Sequence, residues 1–479
     1  MLRFMPLFFL ALYTMTLMPG VGWGDEAKYQ VEALTLDWPR EAGLHGLYAI
    51  VSALFVQAWP WGSVAYKANL FSAVCAAAAL AVFIRVLRTL GISQRSTALA
   101  TLTLGLSHTF WTHATWAESY PLFACLWIGA VGVGMRYLME GHPRDLALTL
   151  GLFGLTLWVN LMATQGLAAF LCCAVLLRPE CRKLPAWKIP LLALLVGLSP
   201  WLGRLLWALG VEKIPLDLVL MRAFELDFAH QLWIRHSPSD WIRGARAFPL
   251  YFLYQFGLMA FYFTRLRRLP ARVWLFPVLL TLLIMLFCST FLPQRTVWVL
   301  MAAWLPLFLL MATCLDVSMP ATPRMFILPL LTVAGYALLS YSVQIFLDQH
   351  PAARSFSIFH AEPVGTRNAA AIFLKPWKQD ERSAQDYIDE VESTLKAKDM
   401  IVCDFTPAAT LRYAKEVEGR LHNITIAYLR DDLNSVLSSA PPGTGLWLGR
   451  DSAEFHRRLD GMRWRTEKVG SLLRVEKRP

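Results

Sequence analysis

Two carboxylates stand side by side in Gly24-Asp25-Glu26-Ala27-Lys28-Tyr29, directly after the first apolar run of the chain. A carboxylate at such a place can take the proton from a hydroxyl as its oxygen attacks an anomeric carbon. If the leaving group were a lipid phosphate it would need no acid, only a cation to stabilise it. The same pair also reads as the end of a helix in water. A third acid, Glu118, closes the polar and aromatic stretch Ser107 to Tyr120. It could orient an acceptor, tune Asp25 through like-charge repulsion, or cap a helix. For the phosphate, Arg295 sits in a short gap between two apolar runs, and its guanidinium could fork two phosphate oxygens. Lys67 and Arg204 are alternatives, and any of the three could instead snorkel to lipid headgroups.

The elements that would hold these residues are apolar runs. The chain of 479 residues is 56% hydrophobic and 16% charged, an excess that suits lipid rather than water. Runs of roughly 20 residues can span a bilayer. They are expected at Met1 to Trp23 (an uncleaved helix, since Val21-Gly22-Trp23-Gly24 lacks a small-x-small cleavage pattern), then at 66–87, 97–110, 121–135, 146–177 (two spans), 189–209, 248–263, 273–292, 297–315 and 325–347. That makes about eleven spans, with an interfacial helix at Leu47 to Pro60. Arginine crowds every second loop: after the second, fourth, sixth and eighth spans. Those loops are expected in the cytoplasm, with the N-terminus. Residues 24–60, 113–120, 210–247, 294–295 and the C-terminal part are then outside. The long 210–247 loop mixes charge with Trp233 and Trp241, which suits either a sugar-and-phosphate groove or an amphipathic helix at the interface.

Beyond Asp348 the pattern alternates. Helices are expected at Ser383–Lys396 and Ala408–Glu418, and strands at Met400–Phe405, Ile424–Leu429, Gly445–Leu448 and Leu472–Val475, with one more short helix between the last two strands. The fold class is therefore an α-helical polytopic membrane protein, residues 1–347, carrying a small α/β domain, residues 348–479, on the outer face. That domain has no glycine-rich phosphate loop, and reads as a lid or an acceptor-recognition module. The eight cysteines show neither metal spacing nor a disulfide framework, so no metal site is inferred, although paired acids could bind a divalent ion weakly.

These residues resemble a family. Asp25-Glu26-Ala27-Lys28-Tyr29 is similar to the Asp-Glu-x-Lys/Arg-Tyr of aminoarabinose transferases and protein O-mannosyltransferases, glycosyltransferases of the GT-C superfamily. Phe110-Trp111 with Ala117-Glu118-Ser119-Tyr120 resembles the signature of a GT-C-like branch. His45-Gly46-Leu47-Tyr48 and Tyr66-Lys67-Ala68-Asn69-Leu70 resemble that branch's His-Pro-x-x-Tyr and Arg-x-Asn-Leu segment, except that Gly46 stands where proline is usual. The resemblance covers roughly residues 20 to 170. It implies an inverting transferase that uses a polyprenyl-phosphate sugar, with Asp25 as base, Glu26 and Glu118 beside it, and Tyr29, His45, His113, Trp116 and Tyr120 lining the substrate. The implied partners are the lipid-linked donor, an acceptor of unspecified class and the lipids of a bacterial-type inner membrane; no cofactor is implied.

Rival readings come from other classes. A transporter of a lipid or small solute would place ionisable groups near mid-bilayer in repeated halves. Here the middles of the spans are almost free of charge, and no repeat is apparent. A non-catalytic scaffold or sensor would leave the first-loop acids dispensable. Nucleic-acid binding through the net charge of +11 is excluded, because the basic loops are short and flank spans.

Overall fold

The computed structural model describes residues 2–35, 45–182, 187–223, 237–291, 300–318, 322–350, 369–429, 433–459 and 464–477. Helices occupy every apolar run. They are α1 Met5–Met15, α2 Asp25–Thr35, α3 Gly46–Ala58, α4 Val64–Thr89, α5 Gln94–Gly105, α6 His108–Ala114, α7 Tyr120–Glu140, α8 Pro143–Leu157, α9 Ala163–Leu177 and α10 Lys188–Gly210. There follow α11 Leu216–Ala223, α12 Pro238–Arg246, α13 Phe248–Phe256, a 3-10 stretch Gly257–Arg268, α14 Ala271–Phe291, α15 Met301–Ser318 and α16 Ile327–Gln349. Five helical stretches are long and apolar enough to cross a membrane: Val64–Thr89, Tyr120–Glu140, Lys188–Gly210, Ala271–Thr290 and Pro323–Phe346. The other apolar helices are shorter.

Three runs differ from expectation, one of them 248–263, whose α-helix ends at Phe256 and continues as the 3-10 stretch Gly257–Arg268. The first helix ends at Met15, because Thr16 and the glycine-containing stretch to Trp23 turn back over the bundle. The 97–110 run is broken in two, since Ser107 opens α6 as a separate short helix.

Helix packing follows from small residues. Gly151 and Gly154 of α8 lie against the Ala193–Gly197 backbone of α10, where an added Cβ would collide with main-chain atoms. In a setting where lipid offers no hydrophobic drive, such close approach is what binds helices. Helix α4 buries a row of alanines, including Ala65, Ala68, Ala73, Ala76 and Ala79, and packs with α7 in the main core.

The second core belongs to the C-terminal sheet. After α17 (Ala369–Leu374) and α18 (Ser383–Thr394) come β1 Met400–Cys403, α19 Phe405–Glu416, β2 Thr425–Tyr428, α20 Leu433–Ser438, β3 Leu446–Leu448, α21 Ala453–Leu459, β4 Trp464–Val469 and β5 Leu472–Lys477. The spatial order is β2-β1-β3-β5-β4, parallel across β2-β1-β3 and antiparallel thereafter. Strand β1 is buried on both faces, as a central parallel strand must be. Ile401 and Cys403 face one layer, while Met400 and Val402 face the other.

The first of those layers is shared with the helical part. Val21, Trp23, Ala27, Val31 and Ala65 join Tyr387, Ile388, Leu411 and Tyr413 in one core. Residues 369–378 also return to the bundle: Tyr254 donates to the Leu374 carbonyl (2.8 Å) and Thr115 to that of Pro376 (3.1 Å). Lys378, only 3% exposed, donates to the carbonyls of Ile372 (2.6 Å) and Lys375, and lies 5.0 Å from the Trp116 ring centre.

Candidate active site

Asp25 and Glu26 form the first turn of α2, and Gly24 before them has φ +57°. Only glycine takes that conformation without strain. The Phe405 ring would meet a Cβ at Gly24 at 3.4 Å, an ordinary contact, so φ rather than space selects glycine there. Asp25 is exposed, Glu26 half-buried, and Lys28 pairs with Glu32 at 3.8 Å.

A buried amide network holds this helix. Asn69, inside α4, donates to the carbonyls of Met18 (2.9 Å) and Gly20 (3.1 Å). Its Oδ1 accepts from Gln30 Nε2 (2.9 Å) and from the Ala117 N–H (2.8 Å). Gln30 Oε1 in turn accepts from the Gly22 N–H (3.1 Å). Thus two fully buried amides tie three separate segments together: the first loop, the N-terminal part of α4, and the Thr115–Ser119 turn. Sequence reasoning quoted Asn69 only as part of a motif and missed Gln30. The available signal was a polar side chain inside an apolar run, which survives only when its partners are present.

Glu118 is positioned by the same logic. Its backbone exchanges hydrogen bonds with Ser72 Oγ (N–H to Oγ 3.0 Å; Oγ to carbonyl 3.3 Å), and its Oε2 accepts from the Ser119 N–H (2.8 Å). Burial, and then the charges of Asp25 and Glu26, push its carboxyl well above the usual range. Tyr29 reaches Ser119 Oγ (3.5 Å) and packs edge-on against Tyr48 (4.9 Å) and His45 (5.7 Å).

His45 takes a left-handed backbone (φ 68°), a conformation that costs a non-glycine residue energy. Burial, then the Lys28 charge, lower its pKa from 6.5 to about 4, opposed by a bond to the Val159 backbone. Gly46 is explained by its neighbour: a Cβ there would lie 2.5 Å from Trp158 Nε1. His113 is buried with its ring 4.6 Å from that of Tyr120.

The structure therefore brings Asp25, Glu26, Glu118, Tyr29 and His45 into one neighbourhood. His113 and Tyr120 border it through Ser119, and Trp116 faces Lys378 instead. Of the cations, Lys67 is half-buried in the first turn of α4, two residues from Asn69. Arg204 is buried and bonded to Glu212 at 3.1 Å. Arg295 lies outside the described residues, as do 224–236 of the long loop with Trp233. Among the described residues no three His, Cys, Asp or Glu side chains group so as to hold a metal ion.

No protein-family model and no curated protein sequence matches this chain. Among solved structures, the chain is similar to ArnT from Cupriavidus metallidurans, crystallised with undecaprenyl phosphate. The TM-score is 0.59 and the identity 14%, over 98% of this chain and 96% of that one. The likeness shows a shared fold: a multi-helix membrane part and a small C-terminal sheet domain.

Proposed function

We propose that the chain is an integral membrane glycosyltransferase that moves a sugar from a polyprenyl-phosphate donor to an acceptor hydroxyl, with inversion. One observation supports this reading above the others. An exposed carboxylate, Asp25, stands beside half-buried Glu118, in a fold shared with a protein that binds undecaprenyl phosphate. Asp25 is open to an incoming hydroxyl and takes its proton while the acceptor oxygen bonds to the anomeric carbon. The bond from that carbon to the phosphate oxygen breaks in the same displacement, and the lipid phosphate leaves carrying the negative charge. Arg295 or Lys67 stabilises that charge, whereas Arg204 already serves Glu212. Glu118, whose charged form burial and the neighbouring carboxylates disfavour, hydrogen-bonds the acceptor, and Tyr29 and His45 form the adjoining wall. The reaction takes place on the outer face of an inner-type membrane, with the N-terminus in the cytoplasm and the sheet domain outside.

The test uses purified protein in nanodiscs with a panel of polyprenyl-phosphate sugars. Wild type releases polyprenyl phosphate, and Asp25→Asn lowers the rate about 10²- to 10⁴-fold with its unfolding transition unchanged. Equal turnover in the two proteins would remove Asp25 from the role of base.

A further inference from the structure

The acceptor has so far been only a hydroxyl, and the sheet domain offers a place for the rest of it. Helix α19, which follows β1, packs on the face of the sheet that carries Ile401 and Cys403; α21, which follows β3, packs on the opposite face. The chain therefore leaves the carboxyl ends of two adjacent parallel strands in opposite directions. Open α/β sheets bind ligands in the crevice such a divergence creates.

Three side chains stand there. Asp404 follows β1, Arg450 follows β3 by one residue beyond Gly449, and the two are paired at 2.5 Å. Phe405, beside Asp404, is 39% exposed despite its large apolar ring. The crevice does not open at random. The Gly24 N–H donates to the Thr406 carbonyl (3.2 Å), and Thr410 Oγ1 donates to the Gly22 carbonyl (3.0 Å). The mouth of the crevice is thus bonded to the residue immediately before Asp25.

We infer that this crevice between the ends of β1 and β3 is a carbohydrate subsite that holds the sugar ring of a neutral glycan acceptor. The inference rests on the transferase reading above and gives its acceptor a class. A carboxylate and a guanidinium side by side accept from and donate to neighbouring hydroxyls. The exposed ring of Phe405 takes the C–H face of the same sugar. The Asp404–Arg450 pair is neutral as a unit, which suits an uncharged ring. The competing structural role is that Arg450 only neutralises Asp404, which caps α19 by accepting from the Thr406 N–H (3.2 Å), and Phe405 only covers Gly24.

Full-length protein in nanodiscs is passed over an array of neutral and phosphorylated oligosaccharides, with empty nanodiscs as control. Wild type retains neutral glycans, and Phe405→Ala and Arg450→Gln each weaken retention about tenfold. The unfolding temperature of Phe405→Ala stays that of wild type, which separates a lost contact from a lost fold. Failure of wild type to retain any neutral glycan, or retention unchanged in both crevice variants, overturns the subsite. Retention of phosphorylated glycans alone overturns its chemical class. Donor turnover is measured in parallel. Turnover that persists while both variants bind like wild type discards the crevice and keeps the transferase. Glycan retention that depends on Phe405 and Arg450 without any donor turnover does the reverse.

Discussion

Asp25 and Glu118 carry the same functional group in unlike surroundings, and the difference decides their parts. Asp25 faces water at a helix start; Glu118 is enclosed and feels both first-loop carboxylates. Because the folded state raises the Glu118 pKa above its ordinary 4.5, its contribution to stability is greatest below that value and is lost as pH rises through the folded pKa. Glu118→Gln should accordingly gain in unfolding temperature over wild type as pH rises above 4.5, a difference read by thermal scans at pH 4 and pH 8. His45 has the opposite pH dependence. With a folded pKa of about 4 against 6.5, the unfolded chain binds more protons between those values, so wild type loses stability as pH falls through that window. Full protonation costs about 3 kcal/mol by the usual conversion. His45→Gln should flatten the acid limb of the stability curve, and an unchanged limb would assign the loss elsewhere.

Among the elements, α2 and α4 define the site only together. Asn69→Ala leaves the Ala117 N–H and the Gln30 amide buried without their acceptor, at a cost of about 1–3 kcal/mol. It also frees the Thr115–Ser119 turn, so turnover should fall along with the unfolding temperature; a drop in stability alone would show that the network does not position Glu118. Helix positions were readable because apolar runs and arginine-rich loops mark them directly. The acids were readable because carboxylates beside a span are conspicuous. The amide network was not, since its bonds join residues 39 and 48 positions apart that no periodicity connects. Strand β4 was missed for a different reason. Trp464–Val469 is an edge strand with charge on its open face, so only Trp464 carries the apolar signal. Helix α20, six residues long, is too short to show a helical period.

At the scale of the whole molecule, the seam between bundle and sheet domain joins residues more than 340 positions apart. Trp23 donates to Ser383 Oγ (2.9 Å) and packs at a tilt against Tyr387 (5.2 Å), and the Tyr413 hydroxyl accepts from the Ala65 N–H (3.2 Å). Trp23→Ala removes the largest first-loop side chain from that shared core, at about 3–5 kcal/mol. Amide exchange should then quicken in α2 and α19 together while α7 keeps its protection; quickening in one alone would mean that the two do not dock as a unit. The seam also constrains sidedness. With the arginine-rich loops inside, a C-terminal alkaline phosphatase fusion should be active and a fluorescent-protein fusion dark, and the reverse pattern would invert the orientation.

The seam sets an order in time as well as in space. Residues 20–30 leave the ribosome first among the site's parts, yet the turn at Gly22–Gly24 exchanges hydrogen bonds with a segment made much later, donating to Thr406 and accepting from Thr410. A nascent chain with every apolar run already in the bilayer still lacks the surface on which Gly22 and Gly24 rest. Competence therefore arrives only once Thr406 and Thr410 have been made, and a chain cut short before them by a stalled ribosome would carry its carboxylates into the membrane without the means to aim them.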